Sequence, residues 1–317
     1  MHVIIFGSLN TDLCYQLDDF PLAGETISAL NFTVLNGGKG ANQAVSAARS
    51  GANTVMIGAV GDDDYGSAHI EALNSEGINT QHIARENAPT GTANIYINKA
   101  GENNIVLNAG ANGLSSAAQL KQCGLNKGDI LIVQMEISHN EIIGALAYAK
   151  SCDAMTILNL APAPKIFPDG LLDNVDYLIA NELEAQSACT QIAPKSDQMS
   201  LSYAEQAKLI SGAMQSHCII TLGADGVYAY MTDGTTYTAP AMPIDAQDLI
   251  DTTGAGDAFA GAFAAALSKD RGDVGGALRF AAYAGSLACL KLGAQSALPH
   301  AAAVIAALNA THTDTAT

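Results

Sequence analysis

The chain opens on His2-Val3-Ile4-Ile5-Phe6-Gly7, an apolar run without the alternation of a half-exposed strand. A strand that is apolar on both sides must be covered on both faces, which is the condition of a strand inside a parallel sheet. Parallel neighbours need long crossover connections, and helices supply them. Further strand-type runs lie at 54–60, 129–134, 154–159, 176–180 and 217–222. Helix-type stretches lie between or beyond them at about 65–76 and 139–151, as a shorter piece after 159, from 182, after 256, and at 275–290 and 299–308. This alternation predicts an α/β fold, a doubly wound, mainly parallel sheet flanked by helices.

Two segments break the pattern. Residues 13–18 and 26–35 alternate apolar and polar side chains, as in Thr26-Ile27-Ser28-Ala29-Leu30. Residues 92–98 and 103–108 do the same, joined across Ala100-Gly101-Glu102 as a hairpin. Four such strands predict a small antiparallel β-sheet lid, whose apolar face calls for closure over a site or pairing with a second copy. The expected organisation is therefore an α/β core of residues 1–12, 36–91 and 109–310, with a lid of 13–35 and 92–108. Residues 311–317 carry no pattern and read as a frayed tail.

The most chemically specific stretch is Ile250-Asp251-Thr252-Thr253-Gly254-Ala255-Gly256-Asp257-Ala258-Phe259. Leu249 and Ile250 read as a strand end, and the Ala-, Phe- and Gly-rich residues 258–267 as a packed helix. Between them, the backbone N–H groups of Gly254, Ala255 and Gly256 and the positive helix end form an anion hole. Asp257 then falls in the first helical turn. Such a carboxylate can complement the helix dipole. Alternatively, it takes a proton from a hydroxyl attacking a phosphorus whose charge rests in the hole. A dinucleotide fingerprint fits less well, because no third small residue follows in place.

Other stretches leave two readings each. Asn10-Thr11-Asp12, after the first strand, suit an Asx turn or contacts to sugar hydroxyls. Asn36-Gly37-Gly38-Lys39-Gly40-Ala41-Asn42-Gln43 lets a ligand approach the backbone beside one cation, Lys39, and is no P-loop. Gln134-Met135-Glu136 ends a strand, where the acid binds a hydroxyl or caps a helix. Asn181-x-x-Glu184 has capping-box spacing, or orders water around a Mg²⁺ held mostly by phosphates. Thr221-Leu222-Gly223-Ala224-Asp225-Gly226 is a hairpin turn or a phosphate-facing loop.

Charge narrows the partners. With 31 acidic against 14 basic residues the net charge is −17, which repels nucleic acid and anionic lipid. An anionic substrate such as ATP then needs local backbone or cationic help. The six cysteines are scattered without metal-ligand spacing, and no apolar run reaches the roughly 18–20 residues of a membrane span. A cytoplasmic, reduced protein without a signal peptide is the expectation.

Taken together, Gly37-Gly38-Lys39-Gly40-Ala41-Asn42 and Asp251-Thr252-Thr253-Gly254-Ala255-Gly256-Asp257 resemble the two hallmarks of the PfkB carbohydrate-kinase family, in its ribokinase branch. Thr90-Gly91, Ala109-Gly110-Ala111-Asn112, Asn159-Leu160-Ala161-Pro162-Ala163, Asn181-Glu182-x-Glu184 and Gly293-Ala294-Gln295 extend the likeness along nearly the whole chain. The resemblance implies a ribokinase-like fold and ATP-dependent phosphorylation of a sugar, for ribose at its 5-hydroxyl. It implies Asp257 as general base, Gly254, Ala255 and Gly256 as anion hole, and Asn10, Asp12, Gly38, Lys39, Asn42 and Glu136 around the sugar. Asn181 and Glu184 are implied to support Mg²⁺ and phosphate, and Thr221, Gly223 and Gly226 to line the nucleotide site. A K⁺ site is implied at Asp251 and Thr253 with backbone carbonyls of Ala288, Lys291 and Gly293. The lid is implied to form a homodimer contact. The chain departs from the family in carrying Ala297 where a Ser often completes the cation site, and Ala282 where ribokinases can place a His.

Overall fold

The computed structural model describes residues 1–193 and 201–314. The chain begins with β1 (Val3–Phe6), β2 (Asn10–Gln16), β3 (Asn31–Gly37), α1 (Lys39–Arg49), β4 (Thr54–Gly61), α2 (Asp64–Ser75) and β5 (Asn79–Glu86). It continues through β6 (Gly91–Ile97), β7 (Asn103–Asn108), α3 (Ala118–Cys123), β8 (Ile130–Val133), α4 (His139–Ser151), β9 (Met155–Asn159), β10 (Tyr177–Asn181) and α5 (Glu182–Ile192). It closes with α6 (Tyr203–Met214), β11 (His217–Thr221), β12 (Val227–Tyr230), β13 (Thr236–Ala239), α7 (Ala255–Lys269), α8 (Val274–Ala288) and α9 (Ala301–Asp314).

Among the described residues the main sheet has nine strands in the order β13-β12-β11-β10-β9-β8-β1-β4-β5. All its pairings from β11 to β5 are parallel, as the apolar runs predict. Side chains alternate between two cores: Val3 and Ile5 pack with α1, α7 and α8, while Ile4 and Phe6 pack with α4 and α5. Strand order reverses at β1, which pairs β4 on one side and β8 on the other. Open α/β sheets bind ligands at the carboxyl ends of strands at such a switch point.

The small sheet runs β3-β2-β6-β7. Its two hairpins, β2–β3 and β6–β7, are antiparallel, but β2 and β6 pair in parallel through the middle. The alternation at 26–30 forms no strand, because β2 ends at Gln16 and the Leu30 N–H already donates to the Gln16 carbonyl.

Other departures from the expected elements have local causes. Leu249 and Ile250 are exposed and not in a strand; the Ile250 N–H donates to Cys289 O. No helix follows β9, where residues 161–175 turn around a cis Ala161–Pro162 bond. Strand β5 escaped the pattern because Ile83 is its one buried residue, and helix α6 because polar Gln206 and Ser211 interrupt its buried stripe while Tyr203 and Ala213 are exposed. The chain leaving β11 folds back as β12 and β13, so the Asp225-Gly226 turn is indeed a hairpin turn. Helix α9 runs to Asp314, and the Tyr283 hydroxyl donates to Thr311 Oγ1, so residues 311–314 are helical where a frayed tail was expected; residues 315–317 of that expected tail lie outside the described ones. All six cysteines are free. Among the described residues no helix is long and apolar enough to cross a membrane.

Candidate active site

Helices α1 and α7 cross closely because α7 is rich in Ala and Gly. A Cβ on Gly261 would lie 2.5 Å from the Gln43 carbonyl, so glycine permits the approach. Ser46 Oγ also donates to Ala258 O at 2.7 Å. This crossing sets the side chains of Asn42 and Gln43 against Asp257. Asn42 Nδ2 donates to Asp257 Oδ2 at 3.0 Å and Gln43 Nε2 to Oδ1 at 2.9 Å. Asp257 is only 5% exposed.

Gly254 caps α7 with φ 78°, a conformation that glycine adopts without strain. The Ala255 N–H turns back to Thr252 O at 3.2 Å. The N–H groups of Gly254 and Gly256 have no such backbone acceptor and stay available at the helix end.

Opposite Asp257 stands Lys39, at the start of α1. The nearby Asp257 charge raises its pKa against the effect of burial, with Glu136 and Glu184 adding to the rise. Glu136 braces the strand ends: its Oε2 accepts from Ser8 Oγ at 2.6 Å and from the Lys39 N–H at 3.1 Å. Asp12 faces the same cluster. Burial, then the charges of Glu136 and Asp257, push its pKa up from 3.8 to about 7. Asn10 Oδ1 accepts from Asn112 Nδ2 at 2.7 Å, and Asn112 also exchanges two bonds with the backbone of Leu9.

Asn181 and Glu184 form the complete capping box: Asn181 Oδ1 accepts from Glu184 N and Glu184 Oε2 from Asn181 N, both at 2.8 Å. The structural reading of that motif is correct, yet the pair also lines a cavity of about 190 Å³ with Lys39, Gly254, Gly256 and Asp257. Burial raises the Glu184 pKa, with hydrogen bonding and Lys39 opposing. A second, larger cavity of about 590 Å³ adjoins it, sharing Thr221, Thr252 and Gly256. Its walls include Gly223, Gly226, Met242, Leu249, Phe259 and Ala282, a mostly apolar lining suited to a flat ring system.

At the far side of the α7 loop, Asp251 Oδ1 accepts from Thr253 N at 2.9 Å and Oδ2 from Gly293 N at 3.0 Å. Burial alone would raise its pKa, but these hydrogen bonds outweigh it and hold the carboxyl below the usual range. Asp251, Thr253 and Gly293 are thus brought together, with Ala288 ending α8 nearby in sequence and Lys291 exposed. Ala297 is buried, and Ser296 Oγ donates to Leu292 O, so this hydroxyl is already engaged. Among the described residues no group of three or more His, Cys, Asp or Glu is placed to hold a metal ion.

Ser8, Gln43 and Asn112, to which the sequence pattern assigns no part, also join the cluster. Each acts by holding another side chain, which no spacing rule reveals.

A buried carboxylate at the head of a helix, joined through a small polar cavity to a larger apolar one, is the arrangement of a kinase that acts on small alcohols. The chain belongs to the PfkB family of carbohydrate kinases, whose family model matches residues 1–301. Within that family it is 37% identical to a ribokinase of Bacillus subtilis over 303 residues, covering 94% of this chain and 96% of the relative. A ribokinase structure from Thermotoga maritima superposes with a TM-score of 0.88 at 31% identity, covering 97% of this chain and 99% of the other. An Arabidopsis thaliana ribokinase complexed with ribose and ATP gives 0.84 at 28% identity, covering 97% and 98%.

Proposed function

We propose that this chain is a ribokinase, transferring the γ-phosphoryl group of ATP to the 5-hydroxyl of D-ribose. The observation that carries the reading is the Asp257 carboxylate, buried beside the free N–H groups of Gly254 and Gly256. Its similarity to the ribokinases above supports the choice of sugar.

In this reading Asn10, Asp12, Gly38, Lys39, Asn42 and Glu136 surround the sugar. Asp257 takes the proton of the hydroxyl as its oxygen attacks phosphorus. The N–H groups at the head of α7 receive the charge that develops on the phosphoryl oxygens, and Lys39 adds a cation beside them. Thr221, Gly223 and Gly226 border the nucleotide, whose base occupies the apolar cavity. Glu184, with Asn181, suits a Mg²⁺ held through water and phosphate oxygens, because the cavity's two carboxylates, Glu184 and Asp257, are too few for a full protein cage. Asp251, its carboxyl pKa held below the usual range, and Thr253, with backbone carbonyls of Ala288, Lys291 and Gly293, suit K⁺. When bound, both ions add positive charge around the transferring group.

The small sheet acts as the lid, and its outer face forms a homodimer contact. Tyr15, Phe32 and Tyr96 stack there, with ring centroids 4.7 and 5.4 Å apart, while Val34 and Val106 on the same face are exposed. The free thiols fit a reducing cytoplasm.

The test is ADP release with ribose, 2-deoxyribose, hexoses and adenosine, each with and without K⁺. The reading expects the highest kcat/KM for ribose and stimulation by K⁺; a preference for adenosine would overturn it.

A further inference from the structure

Gln43 and Gln134 are both fully buried, and neither has a part in the chemistry above. They form a chain. Gln134 Nε2 donates to Gln43 Oε1 at 2.7 Å, and Gln43 Nε2 donates to Asp257 Oδ1 at 2.9 Å. Gln134 Oε1 has no partner, and a Cβ on Gly7 would lie 1.9 Å from it.

The direction of the chain follows from one property of Asp257. An ionised carboxylate only accepts hydrogen bonds, so Gln43 must turn its NH₂ toward it. The Gln43 carbonyl then faces Gln134, which must present its own NH₂ in turn. The Gln134 carbonyl is left against the backbone of Gly7. Asn42 repeats the pattern on the other oxygen: Nδ2 serves Asp257 Oδ2, and Oδ1 is buried without a partner. Buried acceptors without donors are uncommon. Both of these result from aiming N–H groups at one carboxylate, and packing alone calls for neither glutamine.

We propose that Gln43 and Gln134 are positioning residues for Asp257, a relay of amides that fixes the orientation of the carboxylate. The inference rests on Asp257 being the base. Each Asp257 oxygen accepts one amide N–H and keeps a lone pair for the substrate hydroxyl. Gln134 sits one residue beyond β8, and Gly7 one residue beyond β1, so the relay is anchored in the central strands of the sheet.

The test compares Gln43→Glu, Gln134→Glu, Gln134→Met and Asp257→Asn by kcat against pH with ribose and ATP. Circular dichroism checks folding and calorimetry checks ribose binding. In Gln43→Glu a second carboxylate meets Asp257, the pair shares a proton, and the acid limb of kcat moves up by about one unit or more. In Gln134→Glu the neutral acid donates to Gln43 as the amide does. Once ionised it draws the Gln43 NH₂ away and turns the Gln43 carbonyl on Asp257. That variant therefore gains an alkaline limb, with turnover falling as pH rises. Gln134→Met lowers kcat by a few-fold and adds no such limb. If Gln43→Glu fails to fold, the Gln134→Glu profile decides. With Asp257→Asn inactive and still binding ribose, an unshifted acid limb in Gln43→Glu or a missing alkaline limb in Gln134→Glu overturns the relay. An active Asp257→Asn overturns the base assignment instead.

Discussion

Asp63 holds Thr90 with both carboxylate oxygens: Oδ2 accepts from the Thr90 N–H at 2.8 Å and Oδ1 from its hydroxyl at 2.6 Å. Asp63 is also the N-cap of α2, accepting from Gly66 N at 2.8 Å, and the Gly61 N–H donates to Thr90 Oγ1 at 2.9 Å. The chain enters the small sheet at Gly91, the next residue, so this cluster fixes the root of β6.

Thr90→Val keeps the shape and removes the hydroxyl, leaving the buried Gly61 N–H without an acceptor. A loss of roughly 2–3 kcal/mol is expected from the broken charge-assisted bond and the orphaned donor. Urea unfolding reads it as a lower midpoint at unchanged slope; a midpoint equal to the parent's would contradict the role of the cluster.

Asp257→Asn retains the volume and removes the base. Turnover is expected to fall by ~10²–10⁴, the usual contribution of a positioned general base. Ribose binding by calorimetry should persist, so kcat moves far more than sugar affinity.

Asp12 gives stability a pH dependence. Its folded pKa of about 7 lies above the ordinary 3.8. Between those values the folded chain holds a proton that the unfolded chain has shed, so stability falls as pH rises from about 4 to about 7. Asp12→Asn removes that slope and should stabilise the sugar-free protein at pH 8 by at most about 4 kcal/mol, while weakening ribose binding. Paired thermal melts at pH 5 and 8 would show it, and equal gains at both would argue against it.

His69 has the opposite sign. It is fully buried beside Thr11, with Nε2 3.3 Å from Thr11 Oγ1 and Nδ1 unpartnered, and burial pushes its pKa down to about 4. The unfolded chain takes up a proton first, so stability is fully present above about pH 6.5 and is lost as pH falls toward 4. His69→Gln should flatten that acid limb in a pH series of melting temperatures.

Phe32→Asp places a charge on the aromatic face of the small sheet. Light scattering at micromolar concentration should then report a monomer, where the proposed contact predicts a dimer for the parent chain. A monomeric parent would remove the basis for the contact.

The sequence made the main sheet readable because buried parallel strands leave uninterrupted apolar runs, as at Val3–Phe6 and Ile130–Val133. It hid β5, an edge strand whose exposed positions break the run, and α6, whose buried stripe includes polar Gln206 and Ser211 while apolar Tyr203 stands exposed. In the site, the glycines and Asp257 were legible because their chemistry requires those residue types at that spacing. Gln43 and Gln134 were not, since a glutamine in a helix or at a strand end carries no signal until its partner 91 positions away is known. The apparent strand end at Leu249 and Ile250 misled for a related reason: these two apolar residues stand exposed, Leu249 at the rim of the larger cavity, and have no sheet to join.

The parallel pairing of β2 with β6 has a geometric consequence. Asn10 pairs with both Gly37 and Gly91, and Thr92 pairs with Asn108, so all four passages between the small sheet and the rest of the chain lie along one border. A plate attached on a single border can only swing about it. Displacement then grows from almost nothing at Asn10 and Gly91 to its maximum at Gln16 and Ile97. Residues at the pivot, Asn10 and Gly91 among them, therefore move least in such a swing, and those at the far rim move most.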